Sequence, residues 1–283
     1  MSKRRIAFAG HDFFSSCLTT LTARTDTEVV LCLTSEPDGP VSNVTDVAHR
    51  HGIPVLFGRP TRKNAIRAFN DARVDILITA GYAWRIPVDR LAVTYAVNIH
   101  PSLLPDGRGP NPLPYILDEH RDLRAITLHE MTSEFDQGAI ILQRPLAIED
   151  GTGFDELSLQ LFAETPHLVN QFLDDPVRHF SRKAGQGPGS YWPEHVQADK
   201  TFVAAQSEVD DAVRVRTKFG ALGTFVELAD GTTIKTFHLT AARCDHSYTP
   251  GTLVGHTGLG YIVALRDGLV RLDTLPPAIR KSG

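Results

Sequence analysis

The chain has 283 residues, 42% of them hydrophobic, and a formal net charge of −4; that length supports two domains, and the acidic balance gives no electrostatic basis for a polyanionic partner. Its three cysteines, Cys17, Cys32 and Cys244, are too few and too scattered for a disulfide framework or a CxxC metal site. The apolar run after the basic start is too short for a signal peptide, and no stretch approaches the roughly 20 apolar residues of a membrane span, so a cytoplasmic protein is the expectation.

Residues 5–10 are apolar and end in Gly10, which predicts a short buried strand. Residues 11–24 predict a helix with Phe13, Phe14, Cys17, Leu18 and Leu21 on one face and Asp12 as its N-cap. Residues 28–34 form a second unbroken apolar run, the signature of a strand covered on both faces, as in a parallel sheet. A helix over 43–51, a strand over 54–57, a helix over 61–71 with Ala65, Ile66 and Phe69 inward, and strands over 74–80 and 95–100 continue the alternation. The βαβαβ order predicts an open α/β sheet with right-handed crossovers. The turn after Gly10 has one glycine where a dinucleotide fingerprint needs three, and no GxxxxGK[ST] occurs, so nucleotide binding is not expected there.

Residues 81–87 (GYAWRIP) place Tyr82 and Trp84 at the carboxyl edge of the sheet, where open α/β folds bind ligands. Asn98 and His100 stand two apart at a strand end, so period-2 geometry turns both to the same side. Pro101 stops the ladder, and a loop with Gly107 and Gly109 follows. A helix over 112–120 comes next, then a strand over 124–131 in which Ile126, Leu128 and Glu130 alternate with Thr127, His129 and Met131. Asp136 lies on the loop 133–138, ahead of a strand over 139–148 and a long helix over 152–173 with Thr152 as a candidate N-cap. Residues 183–193 (KAGQGPGSYWP) are Gly- and Pro-rich and read as a linker. Beyond a helix over 209–219, two Asp-Gly turns at 230–231 and 267–268 between alternating runs predict hairpins and a small, barrel-like β domain. The expected division is a catalytic domain over 1–183, a linker over 184–204 and a β domain over 205–283.

Asn98, His100 and Asp136 together suit acyl transfer to an amine. A carboxamide N–H can hydrogen-bond a carbonyl oxygen that gains charge. A histidine can do the same and can pass protons near neutral pH. A carboxylate beside it favours imidazolium. No nucleophilic Ser or Cys sits in a recognisable elbow, so direct transfer between two substrates is expected rather than a covalent enzyme intermediate. Taken singly, each of the three is also an ordinary turn, cap or structural residue.

The octapeptide Asn98-Ile99-His100-Pro101-Ser102-Leu103-Leu104-Pro105 resembles the signature of the folate-dependent formyltransferases, whose members formylate glycinamide ribonucleotide, methionyl-tRNA and amino sugars. Residues 135–140 (FDQGAI) resemble that family's second motif, Asp-x-Gly, and residues 81–87 resemble the segment that holds the pterin ring. The likeness covers 4 to about 175; residues 205–275 resemble more weakly the C-terminal β domain of the tRNA-acting members. It implies a Rossmann-like catalytic domain and N10-formyltetrahydrofolate as donor, with no metal. It implies that Asn98 and a protonated His100 hold the oxyanion while Asp136 keeps His100 charged and helps deprotonate the amine. It places the folate near Tyr82, Ala83, Trp84, Arg85 and Ile86 and against Glu134, Phe135 and Gln137, with Ser102 and Arg108 shaping the acceptor side.

The acceptor is read from charge. Members acting on tRNA carry a basic insertion after the second strand, whereas residues 35–48 here contain three acids and no Lys or Arg. Phosphate binding depends on cations, so a small-molecule amine is expected: an amino sugar, an amino acid derivative, or a natural-product or siderophore precursor. The basic residues Arg59, Arg62, Lys63 and Arg67 read as the solvated face of a helix. Methionyl-tRNA formylation and a non-catalytic folate-binding module stand as alternatives, and the β domain serves acceptor binding or a homodimer.

Overall fold

The computed structural model describes residues 3–35, 42–147, 149, 151–258 and 260–273. Residues 36–41 of the acidic 35–48 stretch, Ile148 of the expected strand over 139–148, and the end of the expected β domain past 273 lie outside them.

The first unit is built on a seven-stranded sheet of β1 (Arg4–Gly10), β2 (Thr27–Thr34), β3 (Val55–Phe57), β4 (Ile76–Ala80), β5 (Tyr95–His100), β6 (Ala125–Glu130) and β7 (Ile140–Pro145). Its order is β3-β2-β1-β4-β5-β6-β7. The first five strands are parallel, and β6 and β7 are each antiparallel to their neighbour. This is a mixed, Rossmann-like α/β sheet. The unbroken apolar runs have the expected cause: all five residues of β4 are buried, as are the last five of β1. Ala7, Leu31, Leu33, Phe69, Leu77 and Ile86 share one core cluster. Helices α1 (Ser15–Ala23), α2 (Asn43–Arg50) and α3 (Arg62–Ala72) connect the parallel strands.

Asp12 does not cap its own helix. It opens a short 3₁₀ turn, and its carboxylate accepts from Ser42 Oγ (2.8 Å) and Val44 N (2.9 Å), so it satisfies orphan donors at the start of α2.

The second unit comprises 113–121, 148–157 and 193–283. It contains α4 (Leu113–Asp118), the first residues of α5 (Phe154–Asp174) and, beyond α6 (Pro176–Ser181) of the first unit, α7 (Val209–Phe219). Its strands are β8 (Thr201–Val203), β9 (Thr224–Glu227), β10 (Thr233–Thr236), β11 (His238–Arg243), β12 (Leu253–Thr257), β13 (Gly260–Ala264) and β14 (Gly268–Asp273). They form a three-stranded sheet, β10-β9-β8, and a four-stranded sheet, β11-β14-β13-β12. Both Asp-Gly turns join hairpin strands, β9 to β10 and β13 to β14. Phe202, Val226, Leu239, Val263, Val270 and Leu272 form its core. Closure into a barrel is not among the described pairings.

The stretch 184–204 is not a spacer. Residues up to Trp192 belong to the first unit and those from Pro193 to the second. Ala184 bridges to Ile140, Tyr191 bridges to Arg108, and Thr201–Val203 is β8. Among the described residues no helix is long and apolar enough to cross a membrane.

Candidate active site

The three central strands place polar residues side by side. Thr79 of β4 pairs with Asn98 of β5, and Asn98 pairs with His129 of β6. Residues paired across strands share a face, so the three form one rung. Thr79 Oγ1 lies 2.6 Å from Asn98 Oδ1, and Asn98 Nδ2 lies 3.0 Å from His129 Nε2. His129 Nδ1 is 2.8 Å from the Glu130 carbonyl. One step along, His100 pairs with Thr127, and Thr127 pairs with Gln143. Thr127 Oγ1 donates to the Ser102 carbonyl (2.7 Å) and accepts from Gln143 Nε2 (3.0 Å), which anchors the loop leaving β5.

Asp136 joins the two rungs. It is buried and sits in the left-handed region at φ 55°, unusual for a residue with a Cβ. One carboxylate oxygen accepts from Gly109 N at 3.0 Å. The other lies 3.5 Å from His100 Nδ1 and 3.7 Å from His129 Nε2. His100 Nε2 is 2.7 Å from the Gly107 carbonyl, which can only accept, so that nitrogen carries the hydrogen.

The segment 184–192 straps this arrangement down. Gln186 Nε2 donates to the carbonyls of Asp136 (2.8 Å) and Gly138 (2.7 Å), while its Oε1 accepts from Arg108 Nε and Nη2. Ser190 Oγ accepts from Gly107 N, and Trp192 N donates to the Arg108 carbonyl. Gly109 has φ 125°, and a Cβ there would lie 2.0 Å from the Trp192 carbonyl oxygen. Only glycine lets the two backbones approach so closely.

Burial lowers the pKa of His100, opposed by Asp136 and the Gly107 carbonyl. Burial also pushes Asp136 upward, but the charges that His100 and His129 carry once protonated, with the Gly109 N–H, outweigh it and hold the carboxyl below its ordinary value. Both nitrogens of His100 thus face acceptors, Nε2 the Gly107 carbonyl and Nδ1 the Asp136 carboxylate, while burial works against a charge on the ring. Burial opposes the imidazolium expected from sequence, and the Asp136 carboxylate and Gly107 carbonyl favour it.

The residues expected on the donor side divide. Arg85 pairs with Glu134 (3.4 Å) and lies over the Phe135 ring (5.0 Å), so those two loops meet. Tyr82 donates its hydroxyl to the Gly58 carbonyl, Trp84 packs edge-on against its ring at 5.3 Å, and burial pushes the Tyr82 pKa up to about 12. Ala83 and Gln137 are exposed, whereas Ile86 is withdrawn into the core. A cavity of about 320 Å³ opens beside these loops, with Val88, Val93, Ala96 and Met131 as apolar wall and Asp89, Glu130, Thr132 and Ser133 as polar lining. Met131 Sδ reaches within 3.5 Å of Thr79 Oγ1, so the cavity borders the Asn98 rung.

The acceptor-side expectations change. Ser102 is fully buried, with its hydroxyl donated to the Asp106 carbonyl, and Arg108 is engaged by Gln186 and Gly187. Both build the loop. Sequence reasoning passed over His129, Thr79, Thr127, the strap and the cavity. The alternation of Thr127, His129 and Met131 against their apolar neighbours was the signal available for His129.

The formyl transferase family profile matches residues 5–169. Methionyl-tRNA formyltransferase of Pseudothermotoga lettingae is 27% identical over 262 residues, covering 87% of this chain and 83% of that protein. HypX from Aquifex aeolicus, solved in complex with tetrahydrofolic acid, is similar in fold at a TM-score of 0.68 and 17% identity. That likeness covers 96% of this chain and 44% of HypX, so this chain spans less than half of the HypX length. A sugar N-formyltransferase from Shewanella sp. is similar at a TM-score of 0.62 and 15% identity, over 82% of this chain and 95% of that one. With more than half of its length matched by the family profile, the chain belongs to the formyl transferase family.

Proposed function

We propose that this protein transfers a formyl group from N10-formyltetrahydrofolate to the amine of a small molecule, with Asn98, His100 and Asp136 as catalytic residues. The observation that carries the reading is their convergence, with His100 and Asp136 buried together and a cavity of about 320 Å³ bordering the Asn98 rung through Met131. That volume and its mixed lining suit a flat heterocycle with polar edges. Val88, Val93, Ala96 and Met131 would cover its faces, and Asp89, Glu130, Thr132 and Ser133 would meet its hydrogen-bonding edge. The donor supplies a formyl carbon and a leaving nitrogen.

Asn98 retains a second Nδ2 hydrogen after the bond to His129 and offers it to the formyl oxygen as charge builds there. His100 takes up the proton that the attacking amine releases, at Nδ1, the nitrogen not committed to Gly107. Asp136 stabilises the imidazolium so formed. The same proton then passes to the leaving nitrogen. One C–N bond forms, one breaks, and the enzyme ends as it began.

A small acceptor is supported by residues 35–48, which contain no cation, and by Asp12, which occupies the start of α2 where an anion would otherwise dock. The second reading, methionyl-tRNA, is favoured by the similarity to methionyl-tRNA formyltransferases and by the exposed Arg62, Lys63 and Arg67 on α3. The test follows loss of N10-formyltetrahydrofolate against a panel of amino sugars, amino acid derivatives and methionyl-tRNA. Formylation of a small amine and not of tRNA supports the proposal. Formylation of tRNA alone overturns the acceptor assignment, and formate release without any formylated amine overturns transfer itself.

A further inference from the structure

We propose that Thr79 and His129 are positioning residues for formyl transfer, clamping the Asn98 carboxamide from the strands on either side so that one of its N–H bonds is held toward the reacting oxygen. This rests on the reading that Asn98 contacts that oxygen. The clamp follows from donor and acceptor chemistry. The Glu130 carbonyl accepts only, so His129 Nδ1, at 2.8 Å, carries a hydrogen. In the neutral ring Nε2 is then an acceptor, and at 3.0 Å it takes a hydrogen from Asn98 Nδ2. That turns Asn98 Oδ1 toward β4, where Thr79 Oγ1 donates to it at 2.6 Å. Each end of the amide meets a partner of the opposite kind, and one Nδ2 hydrogen is left over. Rotating the amide by half a turn would set its oxygen against a lone pair of His129.

Thr79 itself needs this explanation. It is the one polar residue of β4 (ILITA), a strand in which every residue is buried. A hydroxyl there costs stability unless it is hydrogen-bonded. Its short contact is the Asn98 oxygen, while its approaches to the Val97 carbonyl (3.4 Å) and Met131 Sδ (3.5 Å) are long. Valine has nearly the same shape and would fill the position without directing the amide.

The test uses the full chain, N10-formyltetrahydrofolate and the amine formylated fastest in the panel. Thr79→Val is expected to lower kcat by about 10- to 100-fold, the scale of a misaligned catalytic group, with the KM for the donor within about twofold, because the hydroxyl orients Asn98 without forming the cavity wall. Thr79→Ser is expected to restore kcat to within about threefold, because it returns the donor. Nitrogen-15 NMR of the wild type at pH 7.5 is expected to show His129 as the Nδ1–H tautomer. Wild-type kcat in Thr79→Val alongside an inactive Asn98→Ala overturns the clamp and leaves the catalytic reading standing. Wild-type kcat in Asn98→Ala overturns that reading. An Nε2–H tautomer at His129, or a Thr79→Ser variant as slow as Thr79→Val, overturns the assignment of the hydrogen bonds.

Discussion

Replacing Gln186 by alanine removes the side chain that ties the strap to the Asp136 loop. Its Nε2 holds the carbonyls of Asp136 and Gly138, at 2.8 and 2.7 Å, and its Oε1 receives Arg108 at 2.9 and 3.1 Å. The two neutral bonds contribute about 0.5–1.5 kcal/mol each, and the two charged bonds from Arg108, which share one oxygen, about 1.5–3 kcal/mol together. Gln186 is half-buried, so water replaces part of this, leaving an expected loss of about 1–3 kcal/mol in urea denaturation. The larger effect is on chemistry. Asp136 holds a left-handed backbone at φ 55° and stands 3.5 Å from His100 Nδ1, a geometry maintained from outside its own loop. A displacement of order 1 Å is expected to lower kcat by about 10- to 100-fold. Gln186→Glu sharpens the test. It keeps the shape and strengthens the pairing with Arg108, but sets a carboxylate against two carbonyl oxygens. Steady-state formyl transfer should therefore fall at least as far in Gln186→Glu as in Gln186→Ala. Either variant with kcat within about twofold of wild type, or a glutamate variant faster than the alanine one, would refute the idea that the strap positions Asp136.

Two further outcomes follow from the same geometry. Asp136→Asn keeps an oxygen for the Gly109 N–H but loses the charge that supports a protonated His100; kcat is expected to fall about 10²- to 10⁴-fold, and a variant keeping a tenth of the wild-type rate would contradict it. Acid should destabilise the fold through this pair, because burial sets the folded pKa of His100 below that of the unfolded chain, about 6.5. The unfolded state then binds more protons, so this stability is present above pH of about 6.5 and is lost as pH falls through the folded pKa, with the Asp136 contribution lost below about 4. Urea midpoints measured from pH 8 to 5 should fall less in His100→Gln than in wild type; equal slopes would show that burial of this ring carries no such cost.

Much of the first unit is legible in the chain. The unbroken apolar runs of β1, β2 and β4 announce strands covered on both faces, and β4 is buried throughout, as are the last five residues of β1 and the last four of β2. The two-residue spacing of Asn98 and His100 gives their common side, because period 2 is local geometry. What pairs with them is not local. His129 stands opposite Asn98 only through the β5–β6 register, which a single strand does not encode. The strap is hidden by its composition. Residues 185–189 (GQGPG) have the look of a linker, yet Gly189 is small because a Cβ there would lie 2.0 Å from the Pro105 carbonyl oxygen. Asp12 precedes a helix and so resembles its cap, but a neighbouring helix start, thirty residues on, competes for the same carboxylate and wins it. In each case the local signal is right about residue type and silent about partner.

The antiparallel turn to β6 has a chemical consequence. It sets His129 on the same face as His100, with one oxygen of Asp136 between the two rings. A charge on His129 opposes a charge on His100, so a single carboxylate at 3.5 and 3.7 Å supports one imidazolium at a time. The two rings are not equivalent claimants. His129 gives Nδ1–H to its own neighbour's carbonyl and receives the Asn98 amide at Nε2, so both nitrogens are engaged while it is neutral. His100 engages only Nε2 in this way, with Gly107, and keeps Nδ1 facing the carboxylate. In the proposed mechanism, proton uptake at His100 Nδ1 leaves the Asn98 amide and its bond to His129 undisturbed. On that proposal, the division of labour between the two histidines follows from which backbone carbonyl each one meets.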